Sequence, residues 1–256
     1  MENIFLPSKI ELKEGEMPNE GVLIIEPLFH GYGTTIGNAL RRVILSSLLG
    51  AAVTSFKIKG TQHEFSTIKG IYEDILEIVL NMKQLRLKLY SAEPVVLKLV
   101  KKGEGAVTAK DITKDAMVEI INPGLKIATI TDKNTELNME ITVEKGMGYE
   151  PTENRNKENL AVGAIAIDAI FTPIVDVGFK VENTRIGQIT NYDKLIFTIK
   201  TDGTITPEYA INCTVKLLLD HFNLLYKQDL PSETKKEDEP AKKKPDKVKK
   251  AKKAKK

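Results

Sequence analysis

The sequence predicts a mixed α+β fold, and three observations carry it. Short runs that alternate apolar and polar residues recur between turn residues, as at residues 53–58. Apolar residues at helical spacing appear over residues 36–48, 71–85 and 206–226. The 256-residue chain is 41% hydrophobic but only 6% aromatic and has no Trp, so its core rests on Ile, Leu and Val. That length allows one or two domains.

Taken in order, residues 8–13 and 21–26 read as strands around a polar turn at 15–20. Thr34 or Thr35 offers an N-cap for the first helix, and Gly50 is placed to stop it. A strand over 53–58 follows. The second helix has apolar residues at 71, 75, 78, 79, 82 and 85 and acids at 73, 74 and 77 on its other face. Residues 85–89, 95–100, 126–131 and 137–143 read as strands, with turns at Asn122-Pro123-Gly124 and Asp132-Lys133-Asn134. Residues 146–159 are polar and unpatterned and read as an exposed loop. Strands resume at 179–182 and 195–199. Thr206-Pro207-Glu208 then combines an N-cap, Pro at the first helical position and an acid in the first turn. No internal repeat is visible.

Charge is unevenly spread. The net +3 resolves into +6 from Asp229 onward and −3 before it. Beyond Pro231 the largest aliphatic residue is Val248, so this Lys-rich tail cannot bury enough surface to offset its ordering entropy and reads as disordered. With one cysteine, Cys213, no intrachain disulfide is expected. The N-terminus carries acids where a signal peptide needs cations, and no apolar stretch reaches membrane-spanning length. The expected location is cytoplasmic, with no membrane contact.

Two helices carry more apolar surface than one core needs. On a helical wheel, Ile36, Leu40, Val43 and Ile44 form one stripe. Leu45 lies on the far side between Arg41 and Arg42. An exposed leucine is ordinary by itself, but an apolar centre with an arginine rim is the composition of a protein contact. In the last helix Ile211, Val215, Leu218, Phe222 and Leu225 step by four and three, a seam for helix-on-helix packing. Leu217, Leu219 and Leu224 lie outside that seam, which implies burial on more than one side. A dimer would bury both helices, as would a single monomeric core.

No catalytic set emerges. Gly31-Tyr32-Gly33-Thr34-Thr35-Ile36-Gly37 has neither dinucleotide-binding spacing nor a P-loop lysine, and its glycines read as packing devices. His30, His63 and His221 are far apart, and one cysteine cannot complete a common zinc pattern. Ser46-Ser47 lacks nucleophile-elbow glycines, and His63-Glu64 lacks a second histidine. Asp168, Asp176, Asp193 and Asp202 each have a turn or surface reading. Neither cofactor nor metal is expected. The lysine tail offers loose, salt-sensitive attraction to phosphates but no aromatic stacking platform.

Residues 26–50, EPLFHGYGTTIGNALRRVILSSLLG, resemble the signature helix of bacterial-type RNA polymerase alpha subunits. More segments follow in family order: His63-Glu64-Phe65-Ser66-Thr67, Glu73-Asp74-Ile75 through Leu80-Asn81-Met82-Lys83, Ile121-Asn122-Pro123, Asp168-Ala169-Ile170-Phe171-Thr172-Pro173, Val181-Glu182-Asn183-Thr184-Arg185, Asp193-Lys194-Leu195 and Asp202-Gly203-Thr204-Ile205-Thr206-Pro207-Glu208. The resemblance spans residues 1–226.

It implies a two-fold homodimer on which the beta and beta-prime subunits assemble, with omega and sigma in the same complex and DNA reached through it. It also implies two parts. A dimerisation subdomain takes 1–49 and 170–228, with two long helices. A β-rich subdomain, 50–169, is inserted, and the tail takes 229–256. By the resemblance, Arg41, Arg42 and Leu45 meet beta, and Lys83 and Ile167 meet beta-prime. Ile36, Leu40, Val43, Ile44, Ile211, Val215, Leu218, Phe222 and Leu225 serve dimerisation. Family members usually continue into a small helical DNA-binding domain, and here a lysine tail stands in its place. Two rivals remain: a free nucleic-acid-binding protein with a basic tail, against which the −3 body counts, and a nucleotide-using enzyme built on the glycine loop, against which the missing phosphate lysine counts.

Overall fold

The computed structural model describes residues 4, 6–61, 63–155, 163–187 and 189–227. In chain order the described elements are β1 (Lys9–Glu14), β2 (Glu20–Leu28), α1 (Tyr32–Ser46), β3 (Leu49–Ile58), α2 (Ile75–Lys83), β4 (Leu87–Leu89), β5 (Val95–Lys102), β6 (Gly105–Thr108) and β7 (Val118–Ile120). Then come β8 (Lys126–Ile130), β9 (Glu136–Met147), β10 (Tyr149–Glu150), β11 (Ile165–Ala166), β12 (Ala169–Ile170), β13 (Ile174–Ile186), β14 (Ile189–Thr201) and α3 (Pro207–Lys227). The fold is α+β, as expected.

Alternation of apolar residues sets two four-stranded sheets, beside the two-stranded pairs β4-β7, β6-β8 and β10-β12. In the first, ordered β1-β2-β14-β13, every pairing is antiparallel. Leu23 and Ile25 of β2 and Leu195, Phe197 and Ile199 of β14 turn to one face. Leu40 and Ile44 of α1 and Ala210 of α3 close that core. The second sheet, ordered β11-β3-β9-β5, places Leu137, Met139, Ile141 and Val143 of β9 at its centre. Ile75, Ile78 and Met82 of α2 pack on this second core, with Phe56, Ile58, Leu97 and Leu99 from β3 and β5.

Phe171 lies in a small third cluster with Ala52 and Ala169. Gly50 and Gly146 are directly paired across β3 and β9. A Cβ on Gly50 would strike the Phe171 carbonyl oxygen, and one on Gly146 would meet the Phe171 ring at 2.5 Å. Gly50 is therefore a site of close backbone approach inside a strand, not the helix stop expected of it. The helix ends at Ser46, with Ser47 as its cap.

Other boundaries moved for identifiable reasons. The second helix begins at Ile75, because Asp74 Oδ1 accepts the Glu77 N–H at 2.7 Å and caps it there. Ile71 and Leu85 remain buried but lie outside the helix. The described part of the loop expected over 146–159 holds regular structure. It contains the end of β9, the short strand β10 and a 3₁₀ turn at Thr152–Asn154, while 156–162 lie outside the described residues. Thr206 caps α3 as its sequence implies, its Oγ1 accepting the Tyr209 N–H at 3.2 Å.

Residues to Leu219 form one compact unit. From Asp220 the chain continues as the last turns of α3, where Phe222, Leu224, Leu225 and Tyr226 are all exposed. The expected disordered tail lies outside the described residues.

Candidate functional site

The glycine-rich run before α1 gives the helix an unusual start. Gly31 is the N-cap, in a left-handed conformation (φ 83°), and makes no side-chain cap of its own. Neither Thr34 nor Thr35 caps the helix, because both already lie inside its first turn. The cap arrives from β14. Asp193 Oδ2 accepts the N–H of Gly31 at 2.9 Å and of Gly33 at 3.1 Å. Asp193 is only 4% exposed, so its surface reading is overturned. It shares the inward face of β14 with Leu195 and Phe197, and an acid on a core face needs partners of this kind. The same contacts answer the phosphate-loop question: a carboxylate already occupies the amides a phosphate would require.

Two more glycines seat the helix. A Cβ on Gly33 would meet Val181 Cγ1 at 2.9 Å, and one on Gly37 would meet the Phe179 ring at 2.7 Å. α1 therefore lies directly on β13. Leu40 and Ile44 are buried in the chain's own core, so they are not available to a second copy; Ile36 and Val43 stay half-buried. On the opposite side Arg41, Arg42 and Leu45 are all exposed, with Leu45 at 39%. The wheel correctly separates these faces.

α3 shows a matching surplus. Ala210 and Thr214 are fully buried, and Ile211 and Leu218 are half-buried. Val215, Leu219, Phe222 and Leu225 are exposed, the last two at 59% and 61%. No helix among the described residues is long and apolar enough to cross a membrane.

A third cluster surrounds Asp168. Lys83 Nζ donates to its Oδ2 at 2.9 Å, and the Thr152 N–H donates to its Oδ1 at 3.0 Å. Those two contacts, the Thr152 amide first, hold the Asp168 carboxyl below the usual aspartate range. Nearby Arg155 donates from Nη1 to the Thr54 carbonyl at 3.2 Å and stacks over Phe171 at 5.7 Å. Its Nε lies 3.3 Å from Glu150 Oε2 but is not aligned to donate. Lys83 is accessible at this surface. Ile167 is 1% exposed and points into the second core, so its side chain cannot touch a partner here. The sequence singles out Asp193, in the family-matching segment Asp193-Lys194-Leu195, but with a turn or surface reading and not as a cap, and it does not single out Arg155. The acid two positions before the inward Leu195 was the available signal for Asp193, whereas nothing local marks Arg155.

This is a mixed α+β protein in which two helices expose apolar side chains, α1 at Leu45 between Arg41 and Arg42 and α3 at Val215, Leu219, Phe222 and Leu225, a surface chemistry of contact. Residues 56–172 match the model of the RNA polymerase Rpb3/RpoA insert domain. The chain is 50% identical over 217 residues to the DNA-directed RNA polymerase subunit alpha of Alkaliphilus oremlandii (strain OhILAs), covering 84% of this chain and 68% of that protein. It is 49% identical over the same length to the subunit of that name from Oceanobacillus iheyensis, covering 84% and 69%. The chain belongs to the family of DNA-directed RNA polymerase alpha subunits.

Proposed function

We propose that this alpha subunit is a non-catalytic homodimeric scaffold on which the beta and beta-prime subunits assemble, with omega and sigma joining the same complex. One observation carries the reading. Leu45 is exposed between Arg41 and Arg42 on a helix whose opposite face is buried, so the helix offers a ready docking face with an apolar centre. The core around Leu195 and Ile44 corresponds to the dimerisation subdomain (1–49 and 170–228), and the core around Met139 and Ile78 to the insert (50–169). The exposed α3 residues Val215, Phe222 and Leu225, with part-exposed Ile36 and Val43, supply the dimer contact. Lys83, braced by Asp168, contributes to the beta-prime face. Catalysis belongs to the large subunits.

Purified chain mixed with beta subunit should give a stable complex that Leu45→Glu or Arg42→Ala weakens by about tenfold or more. Unchanged capture in both variants would refute the docking face.

The lysine-rich tail adds weak, sequence-independent affinity for DNA; its +6 charge after Asp229 supports this. Polymerase carrying a chain that stops at Lys227 should hold DNA less well, with a shallower dependence on salt. An unchanged salt slope would remove the tail from the account.

A further inference from the structure

We infer that Asp193 is a positioning residue for subunit docking: it caps α1 from β14 and thereby sets the pose in which Arg41, Arg42 and Leu45 meet their partner. The inference rests on the docking role proposed for that helix. It adds the residue that holds the start of the helix in place, 162 positions from Gly31 and 160 from Gly33 in sequence.

The geometry concentrates on one carboxylate. A helix start leaves backbone N–H groups without intrahelical partners, and a side chain close in sequence usually satisfies one of them. α1 has no such cap, and Gly31 has no side chain to provide it. Asp193 Oδ2 instead takes both the Gly31 and Gly33 amides, at 2.9 and 3.1 Å. Charge-assisted bonds from a buried anion to backbone amides are among the stronger protein hydrogen bonds, and a negative charge at this end complements the helix dipole. The other carboxylate oxygen lies 3.8 Å from Nδ1 of the exposed His30.

The strand is shaped to deliver this group. The β14–β2 pairing changes register between Asp193, opposite Leu28, and Leu195, opposite Ile25. Such an irregularity re-aims a side chain locally. Leu28 and Leu195 on either side of it are buried at 3% and 0%, so the segment carrying the carboxylate has little room to shift.

The cap thus acts at the N-terminal end of α1, while docking takes place about three to four turns further on. A rigid helix transmits a change at one end to the other. With the cap lost, Gly31 and its left-handed turn are released, and α1 can rock on the Gly33–Val181 and Gly37–Phe179 contacts. The dimer would persist, because the exposed α3 residues Val215, Phe222 and Leu225 are untouched, but the arginine–leucine face would lose its orientation.

Asp193→Ala and Asp193→Asn in the full-length chain separate positioning from plain stability. Asparagine keeps an acceptor oxygen for both amides, whereas alanine keeps none. The alanine variant should remain a dimer, show faster hydrogen exchange at the Gly31 and Gly33 amides alone, and bind beta subunit about tenfold more weakly. The asparagine variant should recover most of that affinity and the slow exchange. Unchanged capture by the alanine variant would overturn the inference. So would a loss of capture that merely accompanies dimer dissociation or global unfolding, since Asp193 would then serve stability alone. If the unaltered chain itself fails to bind beta, the docking reading fails with it, while amide exchange still reports independently on the cap.

Discussion

Asp168 ties three segments of the insert together, since its carboxylate receives Lys83 from the end of α2 and the Thr152 amide from the turn after β10. Both contacts favour the charged form. The folded carboxyl therefore titrates below the unfolded one, and its contribution to stability is present above the ordinary aspartate range and lost as pH falls through the lower folded value. Asp168→Asn should flatten the pH dependence of the urea midpoint in the acid range, below about pH 4. Lys83→Ala should move that acid limb upward in pH, because it removes one of the two groups holding the proton off. An acid limb identical in all three proteins would show that Asp168 has no folded-state partner. The group is part-exposed, so the effect should be modest and salt-sensitive.

At the scale of the element, α1 is defined by what it rests on. A glycine within a helix normally costs about 1 kcal/mol relative to alanine, so Gly37→Ala would ordinarily stabilise the chain. Here the added carbon would sit 2.7 Å from the Phe179 ring. That ring stacks on fully buried Phe197 at 6.5 Å and has little freedom to swing away. Overpacking of this kind costs about 1–3 kcal/mol, which outweighs the helical gain. Gly37→Ala should lower the melting temperature, and Gly37→Val should lower it further; a rise in either would mean that α1 does not lie against β13.

The helix's buried and exposed faces were legible in sequence because 3.6-residue periodicity is local. The capping pattern of α3 was legible for the same reason. The start of α1 was not, because its cap comes from Asp193, and a single sequence carries no signal that pairs it with Gly31 and Gly33. Gly50 failed similarly: a glycine after a helix suggests a stop, and only the approach of Phe171 reveals its role in the strand. Ile167 entered by family resemblance. Its burial follows from the pairing of β11 with β3, a contact between segments about 110 residues apart.

At the scale of the molecule, the exposed apolar residues of α3 and the rim of α1 support the proposed contacts with other chains. Phe222 and Leu225 are too exposed for residues of their size to be explained by the chain's own core. The double variant Phe222→Glu and Leu225→Glu should sediment as a monomer while keeping the native circular dichroism spectrum. Persistence of a dimer would move the two-fold contact elsewhere. In the proposed dimer each copy would present the same α1 and Lys83 faces, and the two copies would become distinct only when the first large subunit binds.

The central claim is that this chain joins subunits and that α1 is where it does so. Its most direct test is the mass and composition of the particle formed when the full-length chain meets the beta subunit. The account predicts two copies of this chain per beta, and for Leu45→Glu an intact dimer that no longer holds beta at the same concentration. A monomeric chain, or full occupancy of beta by the Leu45→Glu dimer, would contradict it.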